Sequence, residues 1–397
     1  MKDLNFENKR VLVTGGTGFI GGRLVERLVL DCNATVRVLV RDFARASWIA
    51  RFPVEMIKGD VAQFDDVADA LKNCQYVFHC AYGNRGNDLS RRMVNVEGTR
   101  NIMKASLDTG VERVVHVSTV AVYGNALDTY LDEESPCRYS GDEYSDTKLD
   151  GDKVALEFSS RGLPVVIARP TVVYGPWAPI WTVGILNQLK EGRVVVGDGE
   201  GLCNAVYVDD VVNALLLSAF EEKAVGEVFL ISGEEPVKWK DFYGAYECML
   251  STDSVVCMSQ AELNECLQKQ KRAKRTINRV RKALQDKPRR KQLLQEIPPL
   301  AKLHQFTKFV LPRFVWTSLK RLMIGKDSCN DRPGSSETGL KKDGSLLLPS
   351  EELVNLFCSK IHVRIDKAKR TLNYRPEFDL ERGMELTRQW AKWANLL

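Results

Sequence analysis

Tyr144 and Lys148 stand four residues apart in the stretch EYSDTK. On a helix that spacing puts both side chains on one face, one turn from each other. A phenol with an ordinary pKa near 10 is a poor base at neutral pH. A neighbouring ammonium favours the phenolate and brings such a phenol into working range. The pair therefore suits proton transfer at a C–OH or C=O group, provided that a second agent moves the hydride.

That agent is announced about 125 residues earlier. The turn TGGTGFIG follows the apolar run RVLV and precedes the helical pattern FIGGRLVERLVL, with Gly15, Gly18 and Gly21 at three-residue spacing. The first glycine permits a tight turn, the second a close approach of backbone to a pyrophosphate, and the third close helix–sheet packing. Phosphates then sit at a helix N-terminus, where unpaired amides and the dipole favour anions. Thr17, Phe19 and Ile20 share the loop and join the candidate contacts. The next strand, VRVLV, ends in Val40 and Arg41 where an Asp or Glu would bind the ribose hydroxyl of NAD. An Arg there pairs with a 2′-phosphate, so NADP is expected ahead of NAD.

These side chains need a frame to hold them. Strand-like runs (RVLVTGG, TVRVLV, QYVFHCA, RVVHVSTVAVYG, LPVVIARPTVVYG, EVFLISG) alternate with segments of helical period. That alternation predicts an α/β fold, a Rossmann-type doubly wound parallel sheet built from right-handed βαβ units. The expected organisation is an NAD(P)-binding domain over 1–175, rejoined at about 205–232. A smaller substrate lobe takes 176–204 and 233–397, with a basic, mostly helical insertion at 256–355.

The chain resembles the extended short-chain dehydrogenase/reductase family, the nucleotide-sugar epimerase and dehydratase group. The match spans about residues 9–232 and returns at RIDKAKRTLNYRP. The resemblance implies several further site residues. Asp60 and Val61, after Gly59, would meet the adenine, and Ala81 and Tyr82 would line the cofactor. Asn95 would steady the active site, and Pro170, Val172 and Val173 would flank the nicotinamide. It also makes Thr119, with Ser118 beside it, the hydroxyl that hydrogen-bonds the substrate oxygen.

The residues after Thr119 narrow the reaction. Dehydratases of this group carry Asp-Glu there, and the related decarboxylases keep a Glu nearby. Val120 and Ala121 cannot do that proton chemistry. What remains is reversible alcohol/ketone redox, in a nucleotide-sugar 4-epimerase or 4-ketoreductase as the first expectation. GDGEGLCNAVYVDDV resembles the epimerase substrate segment, but Cys203 and Asn204 replace its diphosphate-clamping Arg and the following Asp. Arg161, Lys190, Arg193 or the basic insertion are the candidate replacements. The alternative is a hydroxysteroid-dehydrogenase-like or flavanone-reductase-like enzyme acting on a hydrophobic ketone or alcohol. A non-catalytic NADP-sensing scaffold is the third class, disfavoured by the intact Thr119, Tyr144 and Lys148.

Charge singles out one segment. The net charge is +5, yet residues 269–326 carry 18 Lys or Arg against Asp286 and Glu296, which leaves the remainder at −11. Within 269–291 no aromatic residue interleaves the basic ones, which argues against nucleic acid. From Phe306 the chain becomes amphipathic: Val315, Trp316, Leu319, Leu322 and Met323 are edged by Arg313, Lys320 and Arg321. With the basic run before it, so over 269–326, such a segment suits a membrane interface, or a membrane-bound glycosyltransferase partner, without spanning a bilayer. Ten scattered Cys with no CxxC pair or zinc-like cluster fit reduced thiols, so a cytoplasmic protein, peripheral on a membrane at most and without a metal, is expected. A homodimer is also among the expectations.

Overall fold

The computed structural model describes residues 4–83, 87–124, 129–285 and 346–397. Seven strands form one sheet: β1 (Arg10–Thr14), β2 (Thr35–Val40), β3 (Glu55–Lys58), β4 (Tyr76–His79), β5 (Arg113–Val117), β6 (Val165–Pro170) and β7 (Val228–Ile231). Their order is β7-β6-β5-β4-β1-β2-β3, and every pairing is parallel. The expected doubly wound sheet is therefore present.

Strand periodicity explains why both faces are apolar. In β1, Val11 and Val13 enter one core while Leu12 enters the other. The first core is closed by Leu24, Val25 and Leu28 of helix α1 (Phe19–Leu30) and by Val211, Val212 and Leu215 of a later helix, Val208–Phe220. The second is closed by α2 (Phe64–Leu71), α3 (Gly98–Thr109) and α4 (Glu143–Ser160), through Val67, Leu71, Ile102, Met103, Val154 and Phe158. We call Val208–Phe220 α5. Chain order reverses between β1 and β4, and at such a switch point the C-terminal strand ends open a crevice for a ligand.

The smaller elements follow. Val172–Tyr174 pairs with Ala205–Tyr207, and Leu202–Cys203 runs antiparallel to Val237–Lys238. Arg193–Val195 pairs with Val255–Val256 and with Leu346–Leu347. Helices α6 (Trp239–Leu250) and α8 (Leu380–Trp393) belong to the same compact unit, which comprises Met1–Met258 and Gly344–Leu397. Between them in the chain lies α7 (Gln260–Gln285), in a second unit, Ser259–Asp343. Ser259 and Glu262 cap α7 reciprocally, each side chain meeting the other's backbone N–H at 3.4 and 2.9 Å. The last part of the basic run, 286–291, and the amphipathic segment 306–326 lie outside the described residues. No helix among the described residues is long and apolar enough to cross a membrane.

Candidate active site

The glycine loop is shaped by what a side chain would strike. Gly15 has φ +69°, and a Cβ there would come 2.5 Å from the Cys80 carbonyl oxygen. A Cβ at Gly21 would come 2.4 Å from the Gly15 carbonyl oxygen. Only glycine fits either contact, and the packing brings the start of α1 down onto the loop. Gly18, extended, precedes the helix with no side-chain cap, and the first turn carries no acid. The amides at this terminus are thus left for an anion. Thr17 and Gly18 are exposed, while Phe19 and Ile20 pack partly against the core. An uncapped helix start free of acids, beside close-packed glycines, is chemistry that suits a diphosphate.

Arg41 follows β2 and remains 54% exposed, its Nη1 4.0 Å from Asp60 Oδ2. Asp60 turns back on its own loop, accepting from the Ala62 amide at 3.0 Å. Val61 is buried, and its carbonyl accepts from Asn101. The chain thus brings an arginine and a carboxylate together at the ends of β2 and β3.

At the end of β4, the Ala81 amide donates to Thr14 Oγ1 at 3.3 Å. Tyr82 turns outward, and the Gly83 amide donates to Asn95 Oδ1 at 2.7 Å. Asn95 lies in a π-helical turn, Met93–Glu97, and its Nδ2 donates to Thr147 Oγ1 at 3.0 Å. It therefore ties the post-β4 loop to α4. Pro170 closes β6, and Val172 and Val173 are buried in the strand beyond it.

Helix α4 begins with Asp142, whose carboxylate accepts from the Ser145 amide at 2.9 Å. This cap fixes Tyr144 in the first turn and Lys148 in the second. The Tyr144 ring stays 38% exposed, yet the packing around it pushes its phenol up to about 12, only partly offset by a hydrogen bond with Thr119. Lys148 is buried, and its Nζ donates to the Val117 carbonyl at 2.6 Å. Burial lowers its pKa, with Asp152 and Cys80 acting in the opposite sense. Ser118 and Thr119 continue from β5, the Ser118 amide donating to the Ala168 carbonyl at 2.7 Å. Tyr144, Lys148, Thr119 and Ser118, separated by up to thirty positions, thus meet at the ends of β5 and α4.

Beneath them lies a polar cluster that the motifs do not reveal. Asp152, fully buried, accepts from Arg169 Nε at 2.9 Å, and its other oxygen is 3.3 Å from His116 Nε2. Arg169 Nη1 donates to the Tyr123 hydroxyl at 2.7 Å. His116 stacks on His79 with centroids 5.3 Å apart, and His79 Nδ1 is 2.7 Å from Thr14 Oγ1. Asp152 sits four residues beyond Lys148, so the same helical spacing that flags Tyr144 and Lys148 was the available signal.

The substrate segment behaves differently from the epimerase pattern. Cys203 is fully buried, opposite Val237 in the antiparallel pair. Asn204 is occupied, donating to the Ile361 carbonyl at 2.8 Å and accepting from the Val363 amide at 2.9 Å. Arg161 caps the far end of α4, about 25 Å along the helix from Tyr144. Lys190 donates to the Leu396 carbonyl at 2.6 Å. Lys238 and Lys240 both bind Glu200, at 2.6 and 2.9 Å. A separate cavity of about 590 Å³, lined by Trp48, Trp177, Trp390 and Arg23, includes none of the four candidate catalytic residues.

Residues 11–232 match the model of the NAD dependent epimerase/dehydratase family. The chain is 27% identical to the 3β-hydroxysteroid-dehydrogenase/decarboxylase isoform 2 of Arabidopsis thaliana, over 58% of this chain and 46% of that protein. It thus spans about half the length of that relative. It is 30% identical to the UDP-glucose 4-epimerase of Vibrio cholerae, over 56% of this chain and 70% of the relative. Its fold is similar to that of the UDP-glucose 4-epimerase solved with UDP-glucose from Thermotoga maritima, with a TM-score of 0.64, 19% identity, and coverage of 97% and 99% of the two chains. The glycine cradle, the parallel sheet and this match agree: the chain belongs to the NAD dependent epimerase/dehydratase family.

Proposed function

We propose that the protein is an NAD(P)-dependent oxidoreductase acting on a secondary alcohol or ketone of a hydrophobic molecule. The nicotinamide cofactor, when bound, supplies or accepts the hydride. Gly15, Gly18 and Gly21 would cradle its phosphates, with Thr17, Phe19 and Ile20 beside them. Arg41 would meet a 2′-phosphate and Asp60 and Val61 the adenine. Ala81, Tyr82, Asn95, Pro170, Val172 and Val173 would line the remainder. Tyr144 moves the proton, Lys148 stabilises its phenolate, and Thr119, with Ser118 behind it, orients the substrate oxygen. With its phenol pushed up to about 12, Tyr144 carries its proton at neutral pH and suits donation to a developing alkoxide.

The observation that carries the substrate class is the burial of Cys203. A diphosphate needs a cation at that position of the epimerase pattern, and the segment offers a core thiol instead. Of the replacements considered, Arg161 packs on Phe158 at the far end of α4 and Lys190 donates to the Leu396 carbonyl, while Arg193 is exposed at the start of its strand. Similarity to a 3β-hydroxysteroid-dehydrogenase/decarboxylase supports this reading. The second reading, a nucleotide-sugar 4-epimerase, is favoured by the likeness to the Vibrio epimerase. NADPH consumption with a panel of steroid and flavanone ketones separates the two. Oxidation of NADPH by a ketone supports the first. Interconversion of UDP-glucose and UDP-galactose with no net change in cofactor absorbance, together with a higher Tm in UDP, overturns it.

A cytoplasmic location, a homodimer and peripheral membrane or glycosyltransferase contact through 269–326 belong to the same proposal, the contact supported by the sequence of that segment alone. Sedimentation with anionic liposomes at low salt, reversed at high salt, is the expected behaviour. Protein that stays in the supernatant at low ionic strength refutes the membrane contact.

A further inference from the structure

Lys148 is a buried ammonium whose hydrogen bond goes to a neutral carbonyl, that of Val117. A buried charge needs an opposite charge nearby or it is lost to solvent or neutralised. The groups that face it can be surveyed element by element. From β4 and the residue after it come His79 and Cys80, from β5 His116, from β6 Arg169, and from α4 Tyr144 and Asp152. Tyr82 and Asp142 lie beyond Tyr144. Burial holds both imidazoles neutral and pushes the Cys80 thiol up to about 12, so it is a neutral thiol. Burial opposes the charge of Asp152 too, but His116 and Arg169 outweigh it and hold its carboxyl below the usual range.

Tyr144, Lys148 and Asp152 occupy i, i+4 and i+8 of α4, one face over two turns. Asp152 Oδ2 takes the Arg169 Nε–H, while Oδ1, sealed from solvent, faces His116 Nε2 at 3.3 Å. The carboxylate is therefore buried between one cation, Arg169, and an imidazole that burial holds neutral, one turn of α4 beyond Lys148. We propose that Asp152 is a positioning residue: clamped by Arg169, it supplies the counter-charge that keeps Lys148 an ammonium against the Val117 carbonyl, and so tunes proton transfer by Tyr144. The catalytic meaning rests on the oxidoreductase reading, whereas the charge relationship does not.

The test is the titration of Lys148 itself, read from the ε-carbon resonance of isotopically labelled lysine and assigned by its absence in Lys148→Met. It needs neither substrate nor cofactor, so it succeeds or fails independently of the proposed activity. Asp152→Asn, which keeps the shape and removes the charge, should lower the Lys148 midpoint by about one pH unit or more. Where the variant turns over substrate, the alkaline limb of its rate profile should move down with it. An unchanged midpoint, with or without a fall in Tm, overturns the proposal and leaves Asp152 a tie between α4 and β6. Should Asp152→Asn not fold, Arg169→Gln removes the cation that offsets the carboxylate and should raise the same midpoint. A midpoint that stays or falls there overturns it equally.

Discussion

The rings of Tyr82 and Tyr144 meet edge to face, with centroids 5.3 Å apart and planes at 72°. The contact uses the ring of Tyr144, not its hydroxyl. Tyr144→Phe therefore keeps the packing and removes only the proton carrier. Its Tm and NADPH affinity should match the parent, while turnover falls by at least about a hundredfold. Near-normal turnover would remove Tyr144 from the mechanism.

Arg41 lies half in solvent, loosely facing Asp60 at 4.0 Å, so it is available to a ligand anion. A charge-assisted bond of this kind is worth about 1.5–3 kcal/mol. Arg41→Ala should weaken NADPH binding by about tenfold or more and leave NADH nearly unchanged, as read by fluorescence titration. Equal losses for the two cofactors would exclude a 2′-phosphate role.

Much of this was legible from local sequence because the relevant chemistry is local. The loop from Gly15 to Gly21 spans one turn, and Tyr144 and Lys148 share one helical face, so spacing alone brings them together. The alternating pattern of Val11, Leu12 and Val13 likewise encodes a sheet with two buried faces. The Asp152–Arg169–His116 cluster was not legible. Its members come from α4, β6 and β5 and meet only when the sheet order is known. The burial of Cys203 was hidden for the same reason, since it depends on an antiparallel partner more than thirty residues on. Matching the pattern showed that the clamp was missing, and the structure explains that its place belongs to the core.

Two glycine substitutions should act with opposite sign. At Gly21 a methyl group would strike the Gly15 backbone at 2.4 Å, and neither carbonyl nor helix can yield without opening the loop. Gly21→Ala should cost about 1–3 kcal/mol of stability and weaken NADPH binding by at least about tenfold. Gly244, inside α6, has no atom within 4 Å of an added Cβ. Gly244→Ala should stabilise by about 0.5–1 kcal/mol through helix propensity. Thermal unfolding of both variants checks the pair, and a stable, cofactor-binding Gly21→Ala protein would refute the close-packed loop.

Asp210, fully buried at the start of α5, accepts from the Glu377 and Phe378 amides at 2.8 and 3.2 Å and so anchors the segment leading to α8. Burial pushes its carboxyl up to about 6, with the two amides opposing and the charges of Glu377 and Asp209 reinforcing the rise. A free aspartate titrates near 3.9. The folded pKa is thus the higher one, and the native state holds the proton more tightly. The contribution to stability is full below about pH 4 and is lost as pH rises through about 6. An upward shift of about two units corresponds to about 3 kcal/mol. Asp210→Asn cannot titrate, so the stability of the parent relative to this variant should fall by up to that amount between about pH 4 and about pH 7. Urea unfolding followed by tryptophan fluorescence, with Trp390 and Trp393 on the anchored helix, measures the difference at each pH. A difference that does not vary with pH would show that Asp210 titrates alike in the folded and unfolded chain.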